Sequence, residues 1–102
     1  MNRTLLKDKK VLVVGMGKSG EADMDLALKQ GALVHIQDSK TREQIGAEFM
    51  QKLESLPVKA WLGKVPDDMG IYDFLILSPG VPVDLPFVID AKSSGAEIIG
   101  EL

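Results

Sequence analysis

Three glycines fall in the segment Gly15-Met16-Gly17-Lys18-Ser19-Gly20, a G-x-G-x-x-G spacing whose chemistry is the capture of a diphosphate by backbone N–H groups. Gly15 permits a tight turn, Gly17 lets the diphosphate approach the backbone, and Gly20 lets the following helix pack closely on the sheet. A helix opening at Lys18, Ser19 and Gly20 presents free N–H groups and the positive end of its dipole, which favour an anion. The Lys18 ammonium could meet a phosphate or simply be solvated. A glycine turn that binds nothing has the same spelling, so position decides: the loop must follow a strand and open a helix.

Two further segments could line the same cleft. Asp38 lies 18 residues beyond Gly20, where dinucleotide-binding domains keep an acid for ribose hydroxyls. A carboxylate there can also accept from a nucleobase N–H, or it can merely cap the turn that follows. Ser39 and Lys40 share that ambiguity. Ser78-Pro79-Gly80 opens a stretch, Ser78 to Pro86, that holds three prolines and one glycine. Such a stretch is a stiff loop rather than a helix or strand, able to form the second wall of a cleft or to serve as a connection only.

Other chemistry is poorly supported. With one histidine and no cysteine, no nucleophile with a paired base can be assembled and no thiolate metal site exists. His35, between Val34 and Ile36, reads as a partly covered structural residue, and Trp61 as packing rather than base stacking. Glu21, Asp23 and Asp25 sit in the first turns of a helix, where acids complement the dipole and face water. No G-x-x-x-x-G-K-S/T loop occurs, and no catalytic residue is assigned.

The elements that must position these segments follow from periodicity. Val11 to Val14 is a short apolar run expected of a parallel strand covered on both faces. Lys18 to Gln30 reads as a helix closed by Gly31, with Met24, Ala27 and Leu28 at helical spacing. Leu33 to Gln37 is a second strand ending at Asp38. Thr41 and Gln44 spell a capping box, and Ile45, Phe49, Met50, Leu53 and Leu56 predict one helix up to Pro57. Val58 to Leu62 is a short strand, Gly63 to Gly70 a polar loop and Phe74 to Leu77 a buried strand. Leu85 to Ser94 is a helix with Pro86 in its first turn, and Glu97 to Ile99 a last strand. The order β-α-β-α-β-β-α-β implies an α/β fold: a Rossmann-like, three-layer α/β/α domain whose mainly parallel sheet has about five strands. Ligands of such sheets gather beyond the strand C-terminal ends, so the three segments should share one edge.

Composition sets the bounds. The chain of 102 residues is 45% hydrophobic and 26% charged, enough for one modest core and therefore one domain, 1–102. A formal net charge of −3 with scattered basic residues excludes a nucleic-acid partner. The apolar run after the basic start is far too short for a signal-peptide core or a membrane span, so no membrane partner is expected and the cytoplasm is the expected location.

Taken together, VLVVGMGKSG, IQDSK, LILSPGVP and the closing IIGEL resemble the UDP-N-acetylmuramoyl-L-alanine:D-glutamate ligase family over nearly the whole chain. The resemblance implies an N-terminal domain that holds the UDP part of UDP-N-acetylmuramoyl-L-alanine. A central domain for ATP and magnesium and a C-terminal domain for the amino acid would lie outside these residues. It further implies that Lys18 and Ser19 contact the diphosphate, that Asp38, Ser39 and Lys40 surround the uracil, and that Gly80 faces it from the opposite loop. No cofactor is then expected in this segment and no ligase activity from it alone. Family members carry small or apolar residues after the glycine loop, where this chain has Glu21-Ala22-Asp23. An acid turned toward the loop would repel a diphosphate; one turned away would not. Two rival readings use the same residues: a domain binding NAD or a related dinucleotide, and a non-catalytic nucleotide-binding module.

Overall fold

A computed structural model describes residues 6–100; Met1 to Leu5, and Glu101 and Leu102 of the closing IIGEL, lie outside the described residues. The strands are β1 (Lys10–Val14), β2 (Leu33–Asp38), β3 (Lys59–Leu62), β4 (Phe74–Leu77) and β5 (Glu97–Ile99), and the helices are α1 (Lys18–Lys29), α2 (Arg42–Ile45), α3 (Ala47–Glu54) and α4 (Pro86–Ser93). All strand pairs are parallel and the sheet order is β3-β2-β1-β4-β5. The expected α/β, Rossmann-like architecture is therefore present. Beyond β1 the chain continues to β2 on one side, and β4 lies on the other, so the loops leaving β1 and β4 diverge and open a crevice at the sheet's C-terminal edge.

β1 is buried from Val11 through Val14, because both faces of the sheet are covered. Val11, Val13, Val34, Ile36, Phe74 and Ile76 meet Met24 and Ala27 of α1 and Leu53 of α3 on one side. Leu12, Val14, Leu75 and Leu77 meet Val88 and Ala91 of α4 on the other. The alternation along each strand sends neighbouring residues to opposite layers, which is why an unbroken apolar run was required.

Two expectations are corrected. The stretch read as one helix from Thr41 toward Pro57 is two, α2 and α3, broken at Gly46. The capping box forms as read, with the Thr41 N–H donating to Gln44 Oε1 at 2.9 Å and the Gln44 N–H to Thr41 Oγ1 at 3.3 Å. Gly46 then adopts φ 101° and ψ 150°, a region essentially reserved for glycine, so the helix ends there and restarts. Ile45, Phe49 and Met50 still reach the core, so the apolar spacing survives the break. Second, the polar loop after β3 contains a turn of 3-10 helix, Met69–Ile71. Asp68 Oδ1 caps it by accepting from the Gly70 N–H at 2.8 Å. The chain must cross the sheet face from β3 to β4, and it covers that face with buried Met69 and Tyr72 instead of a long helix.

Candidate functional site

The glycine loop joins β1 to α1 and is held from both sides. The Gly15 N–H donates to the Gln37 carbonyl at 2.8 Å, and the Gly15 carbonyl accepts from the Ser78 hydroxyl at 2.8 Å. Ser78 is thereby the residue that ties the β4 loop to the glycine loop. Gly20 packs so closely that a Cβ built on it would lie 1.6 Å from the Gly15 carbonyl oxygen; the third glycine is dictated by this contact. A Cβ on Gly17 would meet nothing within 4 Å, so the second glycine borders open space. Gly17 also caps α1 with no side-chain hydrogen bond, which leaves the first-turn N–H groups of the helix facing that space.

Asp38 braces the loop across the edge. Its Oδ2 accepts from the Met16 N–H at 2.6 Å and its Oδ1 from the Lys40 N–H at 2.8 Å. The carboxylate thus closes the turn after β2 and, in the same geometry, fixes the glycine loop beside it. Ser39 and Lys40 are exposed next to it.

Two adjoining compartments occupy the crevice. The larger, of about 730 Å³, is lined by Asp38, Ser39, Lys40, Pro79 and Gly80, together with Gln37, Lys64, Val65, Pro82 and Phe87. The smaller, of about 320 Å³, is lined by Gly15, Gly17, Lys18, Ser19, Gly20 and Ser78, with Met16. Gly15, Asp38, Pro79 and Val81 border both. The fold therefore brings all eleven residues singled out in the sequence to one edge.

The acids after the glycine loop do not enter this cleft. Glu21 Oε2 lies 2.6 Å from Lys52 Nζ and Asp25 Oδ2 lies 2.9 Å from it, which ties α1 to α3. Hydrogen bonds to Glu21 and then Asp25 raise the Lys52 pKa. The expectation that all three acids face water is corrected for Asp23, which is 6% exposed. Helical periodicity puts it in the inward stripe with Gly20, Met24 and Ala27.

His35 is structural, as read. Its Nδ1 lies 2.8 Å from the Tyr72 hydroxyl, with the rings edge to face at 5.4 Å. Burial, then the ammonium groups of Lys59 and Lys10, hold its pKa below the ordinary 6.5. Burial likewise pushes the Tyr72 phenol up to about 12. Trp61 is buried beneath the Lys59 and Lys64 ammonium groups, 4.6 and 5.6 Å from its ring centroid, and lines neither compartment.

Sequence reasoning missed Gln37, Lys64, Val65 and Phe87. They come from a strand end, the crossover after β3 and the start of α4, and no local pattern marks them. The nearest signal was the strand end at Asp38, which placed Gln37 at the sheet edge without orienting its side chain.

The fold and cleft define the class: a Rossmann-like α/β domain with a crevice at the switch point of its sheet. Two solved dehydrogenases share the fold. Shikimate dehydrogenase from Aquifex aeolicus superposes with a TM-score of 0.59 at 16% identity over 92% of this chain and 42% of that one. The precorrin-2 dehydrogenase SirC gives 0.58 at 22% identity over 85% of this chain and 41% of that one. The family described as Mur ligase MurD-like, N-terminal domain, matches residues 9–100, and the chain belongs to that family. It is 40% identical over 98 residues to a UDP-N-acetylmuramoylalanine--D-glutamate ligase of Clostridioides difficile (strain 630), covering 95% of this chain and 22% of that protein. A ligase of the same name from Bdellovibrio bacteriovorus is 40% identical over 97 residues, covering 94% of this chain and 21% of the relative. The chain thus spans about a fifth of the length of these relatives.

Proposed function

We propose that this chain is the substrate-anchoring domain of a ligase that adds D-glutamate to UDP-N-acetylmuramoyl-L-alanine in peptidoglycan synthesis, and that its role is to hold the UDP portion. The observation that carries the reading is the pair of joined compartments. Uridine would occupy the larger, between Asp38 to Lys40 and Pro79 to Gly80, and the diphosphate the smaller, on the N–H groups at Lys18 to Gly20. Lys18 and Lys40 would add positive charge, and Glu21, engaged by Lys52, would not oppose it.

The ligation itself would use ATP and magnesium to activate the muramoyl-alanine carboxylate as an acyl phosphate, which the amine of D-glutamate then attacks. The described residues contain no group of three His, Cys, Asp or Glu side chains able to hold a metal, and we assign ATP, magnesium and turnover to the rest of the parent enzyme. No described helix is long and apolar enough to cross a membrane. A cytoplasmic location, and partners limited to the nucleotide precursor and the remaining domains of the parent, complete the proposal.

The test is an NMR titration of the labelled chain with UDP-N-acetylmuramoyl-L-alanine and, separately, NADH. Shifts clustered at Gly17 to Gly20, Asp38 to Lys40 and Ser78 to Gly80 with the UDP ligand alone are expected. Shifts there with NADH but not with the UDP ligand would overturn the reading.

A further inference from the structure

Gln37 is 5% exposed and yet lines the larger compartment. It is the most deeply placed polar side chain there, and its amide is locked. A carboxamide has a donor end and an acceptor end, and only the NH₂ end can serve a carbonyl. The Gln37 Nε2 donates to the Lys64 carbonyl at 3.0 Å, which fixes Oε1 as the opposite end. The backbone of the residue is equally constrained, since its carbonyl accepts the Gly15 N–H at 2.8 Å.

Oε1 accepts no hydrogen bond from the described residues, and it is not one of the sealed polar atoms that lack a partner. Its lone pairs are therefore open to the compartment that Gln37 lines. The neighbouring carboxylate differs: it is charged, and each oxygen of Asp38 has a backbone N–H on one of its lone pairs. Gln37 Oε1 is thus an oriented, neutral acceptor that no described residue satisfies.

We propose that Gln37 is a specificity-determining residue of the larger compartment, its Oε1 reading an imide N–H of the kind uracil carries at N3. The inference rests on the nucleotide reading above and adds the group that selects the base. Uracil directs an N–H donor from its Watson–Crick edge, whereas cytosine has a bare ring nitrogen at that place and would set acceptor against acceptor. A site built around a buried acceptor penalises a ligand that leaves it unpaired, which gives sharp discrimination. Lys64 is the positioning partner, because its carbonyl alone keeps the amide from turning its NH₂ end toward the base.

Calorimetric affinities for UDP and CDP, on the parent chain and on Gln37→Met, decide the matter. The parent should favour UDP. Methionine is close in volume and removes the acceptor, so UDP should weaken by about three- to tenfold while CDP holds or tightens, shrinking the preference. An equal loss for both ligands would mean that Gln37 only supports the wall through Lys64, and no change would mean that Oε1 reads nothing; either overturns the proposal. NMR of the parent needs no variant: the Gln37 side-chain amide should shift with UDP and not with pyrophosphate, and an amide that shifts with neither overturns it. A parent that binds pyrophosphate or UDP with an indifferent Gln37 sinks this inference alone, whereas one that binds no nucleotide sinks the nucleotide reading with it.

Discussion

Replacing Gly20 by alanine tests the geometry of the glycine loop without any ligand. The added Cβ would lie 1.6 Å from the Gly15 carbonyl oxygen and 2.9 Å from Ser78 Oγ. Carbon atoms in folded proteins essentially never come within 3.0 Å of such neighbours, so the start of α1 must retreat from β1 by more than about 1 Å. The retreating helix carries Met24 and Ala27, both fully buried against the sheet, and the methyl wedges against both partners of the Ser78 to Gly15 hydrogen bond. Overpacking of this kind costs about 1–3 kcal/mol and occasionally more, and a buried carbonyl left unsatisfied costs about 1–3 kcal/mol besides. We expect a total near 3 kcal/mol, which for a domain of this size is a fall in Tm of roughly 12–24 °C. Thermal unfolding followed by circular dichroism, with urea titration to extract the free energy, measures it. Gly17→Ala is the control: its Cβ meets nothing and its φ of −77° suits any residue, so stability should be unchanged. A Gly20→Ala chain melting within about 3 °C of the parent would refute the reasoning, because the helix would then have absorbed the contact at little cost.

Gly17→Ala should nevertheless weaken UDP by about tenfold, since a methyl group at the loop surface would displace the diphosphate from one charge-assisted N–H contact; unchanged calorimetric affinity would remove the diphosphate from this loop. Ser78→Ala should lower stability by about 1–3 kcal/mol by orphaning the Gly15 carbonyl, measured by urea unfolding, with a smaller loss pointing to water as a replacement donor. Gly46→Ala places a side chain at φ 101° and should cost about 1–3 kcal/mol, although its Cβ meets no neighbour; a neutral result would mean that the break between α2 and α3 does not depend on glycine. The imidazole of His35, facing Tyr72 and the Lys10 and Lys59 ammonium groups, binds protons less readily folded than unfolded. Its contribution to stability is therefore full above the ordinary value of 6.5, declines as the pH falls through that value toward the depressed folded one, and is flat below both. Urea unfolding at several pH values should show this slope in the parent and lose it in His35→Phe.

Much of the fold was legible because its signals are local. The unbroken run Val11 to Val14 demanded a doubly covered strand, Thr41 and Gln44 wrote their own cap, and the glycine spacing marked the turn from a strand into a helix. Each of these depends on residues within one turn or one strand, whose hydrogen bonds and periodicity the chain order alone specifies. Even the error at Gly46 was of this kind: the apolar spacing was right on both sides, and only the backbone angle of one glycine broke the helix.

What the tertiary structure decided are the contacts between distant segments. The Asp38 carboxylate meets Met16 across 22 residues, Glu21 is drawn from the loop by Lys52 across 31, and the Ser78 hydroxyl holds Gly15 across 63. Asp23 faces inward and the Gln37 amide is turned by Lys64. No local pattern encodes these, because a side chain's direction and partner are set by packing that brings separate strands and helices to the same edge. The sequence by itself determined the elements, the fold class and the loops that meet at the cleft. The tertiary structure decided which of those residues brace the cleft and which merely border it.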